Sequence, residues 1–166
     1  MTDKNDVRQA ALACLLLRDP IEKVAQTQAL YQRWQSGELS ISQLDFNVPE
    51  LPGQPDKPEL VAPRDLPRRR NNAETGVATL IHAVNHIEFN AINLALDAVA
   101  RFAGLPDDYY GDWVRVAFEE SQHFTLLREH LISLGFEYGS FPAHNGMWEM
   151  AQKTHHDPLI RMALVP

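Results

Sequence analysis

The sequence predicts an all-α protein built around two long antiparallel helices. Apolar residues recur at steps of three, four and seven in two segments, about residues 72–102 and about residues 107–134. Gly104 and Gly135 follow these segments, where glycine is a common helix terminator. No segment shows a convincing strand pattern of alternating apolar and polar residues. The first long helix is expected to be roughly 45 Å long at 1.5 Å per residue.

Shorter elements precede and follow this pair. Helices are predicted from about Lys4 to Leu17 and from about Ile21 to Gln35, and others from about Asn145 to Thr154 and from Asp157-Pro158 onward. Residues 40–70 contain six of the eleven prolines, which predicts an extended strap along the protein's own surface. A polyproline ligand for a partner domain is the alternative. The chain therefore divides into an N-terminal helical segment (1–39), a proline-rich strap (40–70) and a partial helical bundle (71–166).

Composition limits the classes of function. The 166 residues are enough for one domain, and a formal charge of −7 disfavours binding to nucleic acid or an anionic membrane. A single cysteine, Cys14, excludes an internal disulfide framework and a thiolate zinc cluster. The apolar run around it is too short to span a bilayer, so a cytoplasmic protein is expected. No glycine-rich phosphate loop or nucleophile motif is present.

Three titratable side chains fall on or near the apolar faces of the long helices. At 100° per residue, Glu88 lies about 20° from Ile81 on the first helix. On the second helix, Glu120 shares the apolar face and His123 lies about 60° away. Most Glu-x-x-His pairs on helices are solvated, but an unpaired buried carboxylate is costly and needs a compensating group. These three residues are therefore candidates for a functional site.

The positions of the two acids along their helices predict that they meet. Glu88 lies about seventeen residues before the turn near Leu105, and Glu120 lies about fifteen residues after it. Two facing carboxylates repel each other, and a metal cation between them removes the repulsion. One carboxylate with a Glu-x-x-His pair is half of the ligand set of a carboxylate-bridged di-iron or di-manganese centre in ferritin-like bundles. Oxygen donors with imidazole suit iron, manganese or, less selectively, zinc.

Several blocks of the second half resemble one known family. The blocks are His82–Glu88 with Asn90–Ile92, then Glu119–Phe124, the run from Tyr138 to Trp148, and Arg161–Pro166. They resemble an uncharacterised ferritin-like family known mainly as a domain of unknown function. The resemblance implies a four-helix bundle with a carboxylate-bridged dinuclear metal centre, and it implies that Glu88, Glu120 and His123 are metal ligands. It implies no substrate.

The sequence departs from that family after its second long helix. Family members continue with a further Glu on a third bundle helix and a second Glu-x-x-His on a fourth, and this sequence has neither. Neither Glu149 nor the cluster His155-His156-Asp157 replaces them convincingly. The chain therefore looks like an N-terminal portion that carries half a site. Two explanations remain open: a fragment, or a homodimer in which two copies complete one bundle.

The resemblance favours an oxidoreductase that uses O₂ or peroxide on an unknown small-molecule substrate, with Fe or Mn as cofactor. The alternative is a non-catalytic helical interaction module, or a truncated fragment without a complete metal site. The remaining histidines are expected to have other roles. His82 and His86 project away from the site face and are expected at the surface or in interhelix packing, and His130 is expected to be packed. His144 either stabilises a turn or lines an entrance to the site.

Overall fold

The computed structural model describes residues 5–66 and 73–165, and over these ranges the all-α prediction is confirmed. The described chain forms six α-helices and no β-strand, with isolated bridges only at Asp6–Ser40 and Leu60–Ala143. The helices are α1 (Val7–Leu16), α2 (Pro20–Gln35), α3 (Ala73–Arg101), α4 (Asp107–Ser133), α5 (Gly146–Lys153) and α6 (Pro158–Leu164), and a 3-10 turn spans Pro63–Asp65. None of the described helices combines the length and apolar character needed to cross a bilayer.

Aspartate side chains cap three of the described helices, α1, α2 and α6. The Asp19 side chain accepts a hydrogen bond from the Glu22 amide at the start of α2, and the Asp157 side chain caps α6 in the same way. Helix α4 has no such cap, although Asp107 and Asp108 at its start are residue types that often cap helices. Pro106 is the N-cap, without a side-chain hydrogen bond, and Asp107 and Asp108 lie in the first turn. There their charges still favour the positive end of the helix dipole.

The two long helices pack against each other and form the centre of the fold. Gly104, with φ of 75°, lies in the turn that reverses the chain between them. Every residue from Ile92 to Ala100 on α3 is buried, and Val114 and Ala117 are the buried partners on α4. Helix α1 packs on α3 and α2 packs on α4, where Tyr31 stacks on Phe118 with ring centroids 4.3 Å apart.

The proline-rich strap lies along the protein's own surface over its described part. Pro52, Gly53 and Pro58 are buried, and the Gly53 amide donates a hydrogen bond to the Leu15 carbonyl at the end of α1. A Cβ at Gly53 would overlap the Leu16 carbonyl, so only glycine fits this approach. The extended interpretation is therefore correct for residues 40–66, and residues 67–70 lie outside the described ranges.

Two of the buried cations, Lys23 and Arg161, which the sequence interpretation missed, connect these layers. The Lys23 ammonium donates to the carbonyls of Leu15 and Gly53 at 3.0 Å and to Asn93 Oδ1 at 2.5 Å. Arg161 of α6 contacts the fully buried Asp97 of α3, with Nη1 2.7 Å from Oδ2. Lys23 thus ties α1, α2, the strap and α3 together, and Arg161 ties the C-terminal helix to α3.

Candidate metal centre

The structure brings Glu88, Glu120 and His123 together. One ligand atom from each side chain lies within 4.8 Å of the other two. His123 Nδ1 is 2.9 Å from Glu120 Oε2 and 3.8 Å from Glu88 Oε2. Among the described residues, no other group of three His, Cys, Asp or Glu side chains has this geometry.

Local helix geometry accounts for the arrangement. Glu120 and His123 are three residues apart on α4, a spacing that places two side chains side by side on a helix surface. Glu88 reaches them from the antiparallel α3 at a matching height. The adjacent residues Phe89 and Phe124 are buried, with ring centroids 5.7 Å apart, so an aromatic contact between the helices holds the two carboxylates in register.

The site is more open than the sequence predicted. The exposed fractions of the side chains are 19% for Glu88, 23% for Glu120 and 55% for His123. The site is open because the rest of the protein covers α3 and α4 on sides of these helices that lie away from Glu88 and Glu120. Helix α2 contacts α4 through Phe118, about 160° around the helix from Glu120. Lys23 contacts α3 through Asn93, about 140° around the helix from Glu88.

Crowding of the two carboxylates changes the proton affinity of the site. Burial raises the pKa of Glu88 to about 7, and the hydrogen bond to Glu120 and the Glu120 charge add to this effect. The hydrogen bond to Glu120 likewise raises the pKa of His123 above its usual value, and both carboxylate charges contribute. Without a cation, protons occupy this cluster near neutral pH and relieve the repulsion between the acids.

The donor set fits a hard or borderline divalent cation. Two carboxylates and one imidazole nitrogen offer oxygen and nitrogen ligands, which suit iron, manganese or zinc. His123 would use Nδ1, the nitrogen that already faces both carboxylates. The exposed flank of His123 leaves room for further ligands. Glu119 and Glu129, which lie on other sides of α4, are exposed.

The other histidines do not join this cluster. His82 and His86 are buried, so they pack between segments and do not lie at the surface. His82 Nε2 accepts a hydrogen bond from the Gly139 amide, and His86 Nδ1 lies 2.8 Å from the Tyr138 hydroxyl. Burial lowers the pKa of both imidazoles to about 4. The expectation of a packed His130 is wrong, because this residue is exposed on the C-terminal part of α4.

Asn85 is a neighbour of the site that the sequence interpretation overlooked. It is fully buried on α3, one turn before Glu88, and neither of its amide atoms has a hydrogen-bond partner among the described residues. Its position on the helix, about 20° from Ile92 and 60° from Glu88, already indicates from the sequence that Asn85 lies near the site. A neutral polar residue at the centre of an apolar helix face therefore identifies a candidate site residue as well as an acidic residue does.

Comparison with known proteins places the chain in a family. Residues 16–166 match the family described as "Protein of unknown function (DUF455)". The chain belongs to the DUF455 family. This DUF455 protein is also 56% identical over 119 residues to an uncharacterized protein of Haemophilus influenzae. That match covers 68% of the chain and 41% of the relative, so the chain spans about two fifths of the relative's length. No solved structure matches the chain.

Proposed function

We propose that this DUF455 protein binds a redox-active metal through Glu88, Glu120 and His123. In this proposal the three residues form half of a carboxylate-bridged di-iron or di-manganese centre of the ferritin-like type. The observation that supports it is the convergence of three ligand atoms within 4.8 Å of one another from two antiparallel helices. An acid from one helix and a Glu-x-x-His pair from its neighbour are the half-set of ligands that such centres use.

The reaction class follows from the ligands and the proposed fold type. When bound, a pair of iron or manganese ions supplies reversible one-electron oxidation beside open coordination positions, which is the chemistry that O₂ or peroxide activation requires. Glu88 and Glu120 would neutralise the charge of the ions, and His123 would supply a nitrogen ligand. This chemistry would serve the oxidation or hydroxylation of a small organic substrate, an assignment that rests on analogy with the fold type.

A second copy of the chain is the proposed source of further ligands. The apolar side chains of Leu80, on the N-terminal half of α3, and of Leu126 and Ile132, on the C-terminal half of α4, are exposed. Pairing about a twofold axis covers such surfaces and adds a second Glu88, Glu120 and His123 to the open side of the site. A homodimer of this kind contains four bundle helices, six ligands and two metal ions.

Aerobic titration with Fe(II) tests the proposal. The expected result is a ligand-to-metal charge-transfer absorption that grows until about one iron per chain is bound, the stoichiometry of a two-iron centre shared by two chains. Size-exclusion chromatography with metal analysis of each peak then reports the assembly, and we expect the iron in the dimer peak. A metal-bound monomer contradicts the homodimer alone. A metal-free monomer without the absorption contradicts the whole proposal and leaves a non-catalytic helical module.

A further inference from the structure

A small cavity lies on a different side of α3 from the candidate metal centre. It has a volume of about 130 Å³, and none of the three proposed metal ligands lines it. Helix α3 forms one wall, and the loop before α5 forms the other. We call this cavity the His86 pocket. Its polar end is formed by His86, Asn90 and His144, and its apolar lining includes Ala83, Ile87 and Met147.

The polar end of the His86 pocket is held in place by hydrogen bonds. His86 and Asn90 are both buried and lie one helical turn apart. The ring of His86 is fixed between the Tyr138 hydroxyl, 2.8 Å from Nδ1, and the His144 carbonyl, 3.1 Å from Nε2. The Asn90 amide nitrogen donates to the His86 carbonyl at 3.2 Å and lies 3.1 Å from His86 Nε2. Preorganised polar groups of this kind are typical of ligand pockets.

One hydrogen-bond acceptor and one hydrogen-bond donor at this polar end remain available to a ligand. Asn90 Oδ1 receives no hydrogen bond from the described residues, although Asn90 is only 5% exposed. His144 Nδ1 accepts a hydrogen bond from the Gly146 amide at 3.1 Å. A neutral imidazole that accepts through Nδ1 carries its proton on Nε2, so His144 offers an N–H donor. The pocket therefore complements a group that both donates and accepts.

The lining also selects against charge. No Asp, Glu, Lys or Arg side chain is among the described residues that line the pocket. Among the described lining residues a charged ligand finds no counter-ion, whereas a neutral polar group has both of its hydrogen bonds satisfied. A carboxamide on a short branched apolar body meets all these conditions. The cavity of about 130 Å³ corresponds to the liquid volume of about four water molecules, which limits the ligand to a small molecule.

We propose that the His86 pocket binds a small neutral carboxamide. The carboxamide N–H donates to Asn90 Oδ1, its carbonyl accepts from His144 Nε2–H, and its apolar body contacts Ala83, Ile87 and Met147. The pocket and its ligand are independent of the metal centre, so this proposal goes beyond the proposed function and does not rest on it.

Three probes of the same shape test the chemistry of the pocket. Isobutyramide carries a donor and an acceptor, isobutyrate replaces the donor with a negative charge, and 3-methylbutan-2-one keeps the carbonyl but lacks the donor. Binding is followed on the 166-residue chain by NMR shifts of the His86 and His144 ring protons. Isobutyramide is expected to saturate with a Kd of about 1–10 mM, the range usual for a six-atom fragment. The ketone is expected to bind at least about five-fold more weakly, because it leaves Asn90 Oδ1 unpaired, and isobutyrate is not expected to bind.

Variants distinguish the pocket from non-specific binding. Ala83→Phe places a ring in the cavity from an exposed helix position and is expected to abolish the isobutyramide shifts. Asn90→Leu removes the acceptor and provides a second variant if Ala83→Phe does not fold. Ala13→Phe, at an exposed alanine beside a separate groove on α1, is the control and should leave binding unchanged. Equal binding of isobutyrate and isobutyramide, shifts that do not saturate, or unchanged binding in both pocket variants would overturn the proposal.

Discussion

The Nδ1 atom of His123 lies 2.9 Å from Oε2 of Glu120, one turn earlier on α4. The same nitrogen lies 3.8 Å from a carboxylate oxygen of Glu88 on α3, so one imidazole faces both acids. In the metal-free protein, protons on this cluster relieve the repulsion between the acids. A cation that binds there must displace them, which links metal affinity to pH.

Metal binding is therefore expected to release protons and to strengthen with pH. The pKa of Glu88 is raised to about 7 and that of His123 is raised above its usual value, so both groups carry protons at pH 6.5 that a cation displaces. Zn²⁺, which is redox-inert, is titrated calorimetrically at pH 6.5 and pH 8.5 in buffers of different ionisation enthalpy. We expect more protons released and weaker binding at pH 6.5. His130→Gln, which changes an exposed histidine on α4, should behave as the unchanged protein, and pH-independent affinity contradicts the prediction.

The raised pKa of Glu88 also determines how the stability of the metal-free protein changes with pH. The pKa of Glu88 is about 7 in the folded state against an ordinary value of 4.5, so between these pH values the folded state holds more protons than the unfolded state. The resulting stabilisation is complete below pH 4.5 and is lost as the pH rises through 7. Glu88→Gln removes this dependence and relieves the repulsion from Glu120. Its Tm at pH 8 without metal should exceed that of the unchanged protein by about 2 °C. A lower Tm at pH 8 would argue against carboxylate crowding.

The buried ion pair between Asp97 and Arg161 is expected to stabilise the attachment of α6. Both side chains are almost completely buried, and the Arg161 guanidinium also donates to the Ala151 carbonyl. Asp97→Ala leaves buried cationic charge without its partner and should lower the free energy of unfolding by about 3–5 kcal/mol in urea denaturation. Asp56→Ala breaks the exposed pair with Arg18 and is the matched control, for which we expect little change. Equal effects of the two variants would show that Asp97 has no special role.

Lys23 is expected to make the stability of the fold depend on pH, independently of the contribution of Glu88. Its three acceptors match the three N–H bonds of an ammonium group, while burial lowers the pKa of Lys23 to about 7 from 10.5. Between these values the folded state holds fewer protons than the unfolded state, so this contribution to stability rises with pH from 7 to 10.5 and is lost as the pH falls. Lys23→Met leaves the three acceptors without a hydrogen-bond donor and should lower the free energy of unfolding by about 2–4 kcal/mol. It should also flatten the rise in stability between pH 7 and pH 9. Lys153→Met, at an exposed lysine, is the control and should keep the rise.

The parts of the fold that the sequence predicts are those that local chemistry decides. Pro20 and Asp157-Pro158 predict helix starts because capping and the fixed φ of proline act within a few residues. The meeting of Glu88 and Glu120 follows from one further fact, a turn near Leu105 that gives both residues a similar distance from the chain reversal. Helical periodicity and turn position are enough to identify these candidates.

Features that depend on long-range packing were not predictable in this way. Lys23 reads as a surface residue of α2, and its burial depends on Gly53 of the strap, thirty residues away. His82 and His86 are covered by Tyr138 and its loop, which α3 alone does not reveal. The openness of the candidate metal centre likewise reflects which sides of α3 and α4 the other helices cover. A helical wheel gives the direction of a side chain but not what lies in that direction.

Metal content after loading tests the central claim most directly. The unchanged protein, Glu120→Ala and Glu119→Ala are incubated anaerobically with Fe(II), dialysed and analysed for iron. Glu119 is the matched control, since it is an exposed acid on the preceding residue of the same helix. The account predicts about one iron per chain in the unchanged protein and in Glu119→Ala, and at least about ten-fold less in Glu120→Ala. Equal iron in all three proteins would contradict a ligand role for Glu120 and with it the proposed metal centre.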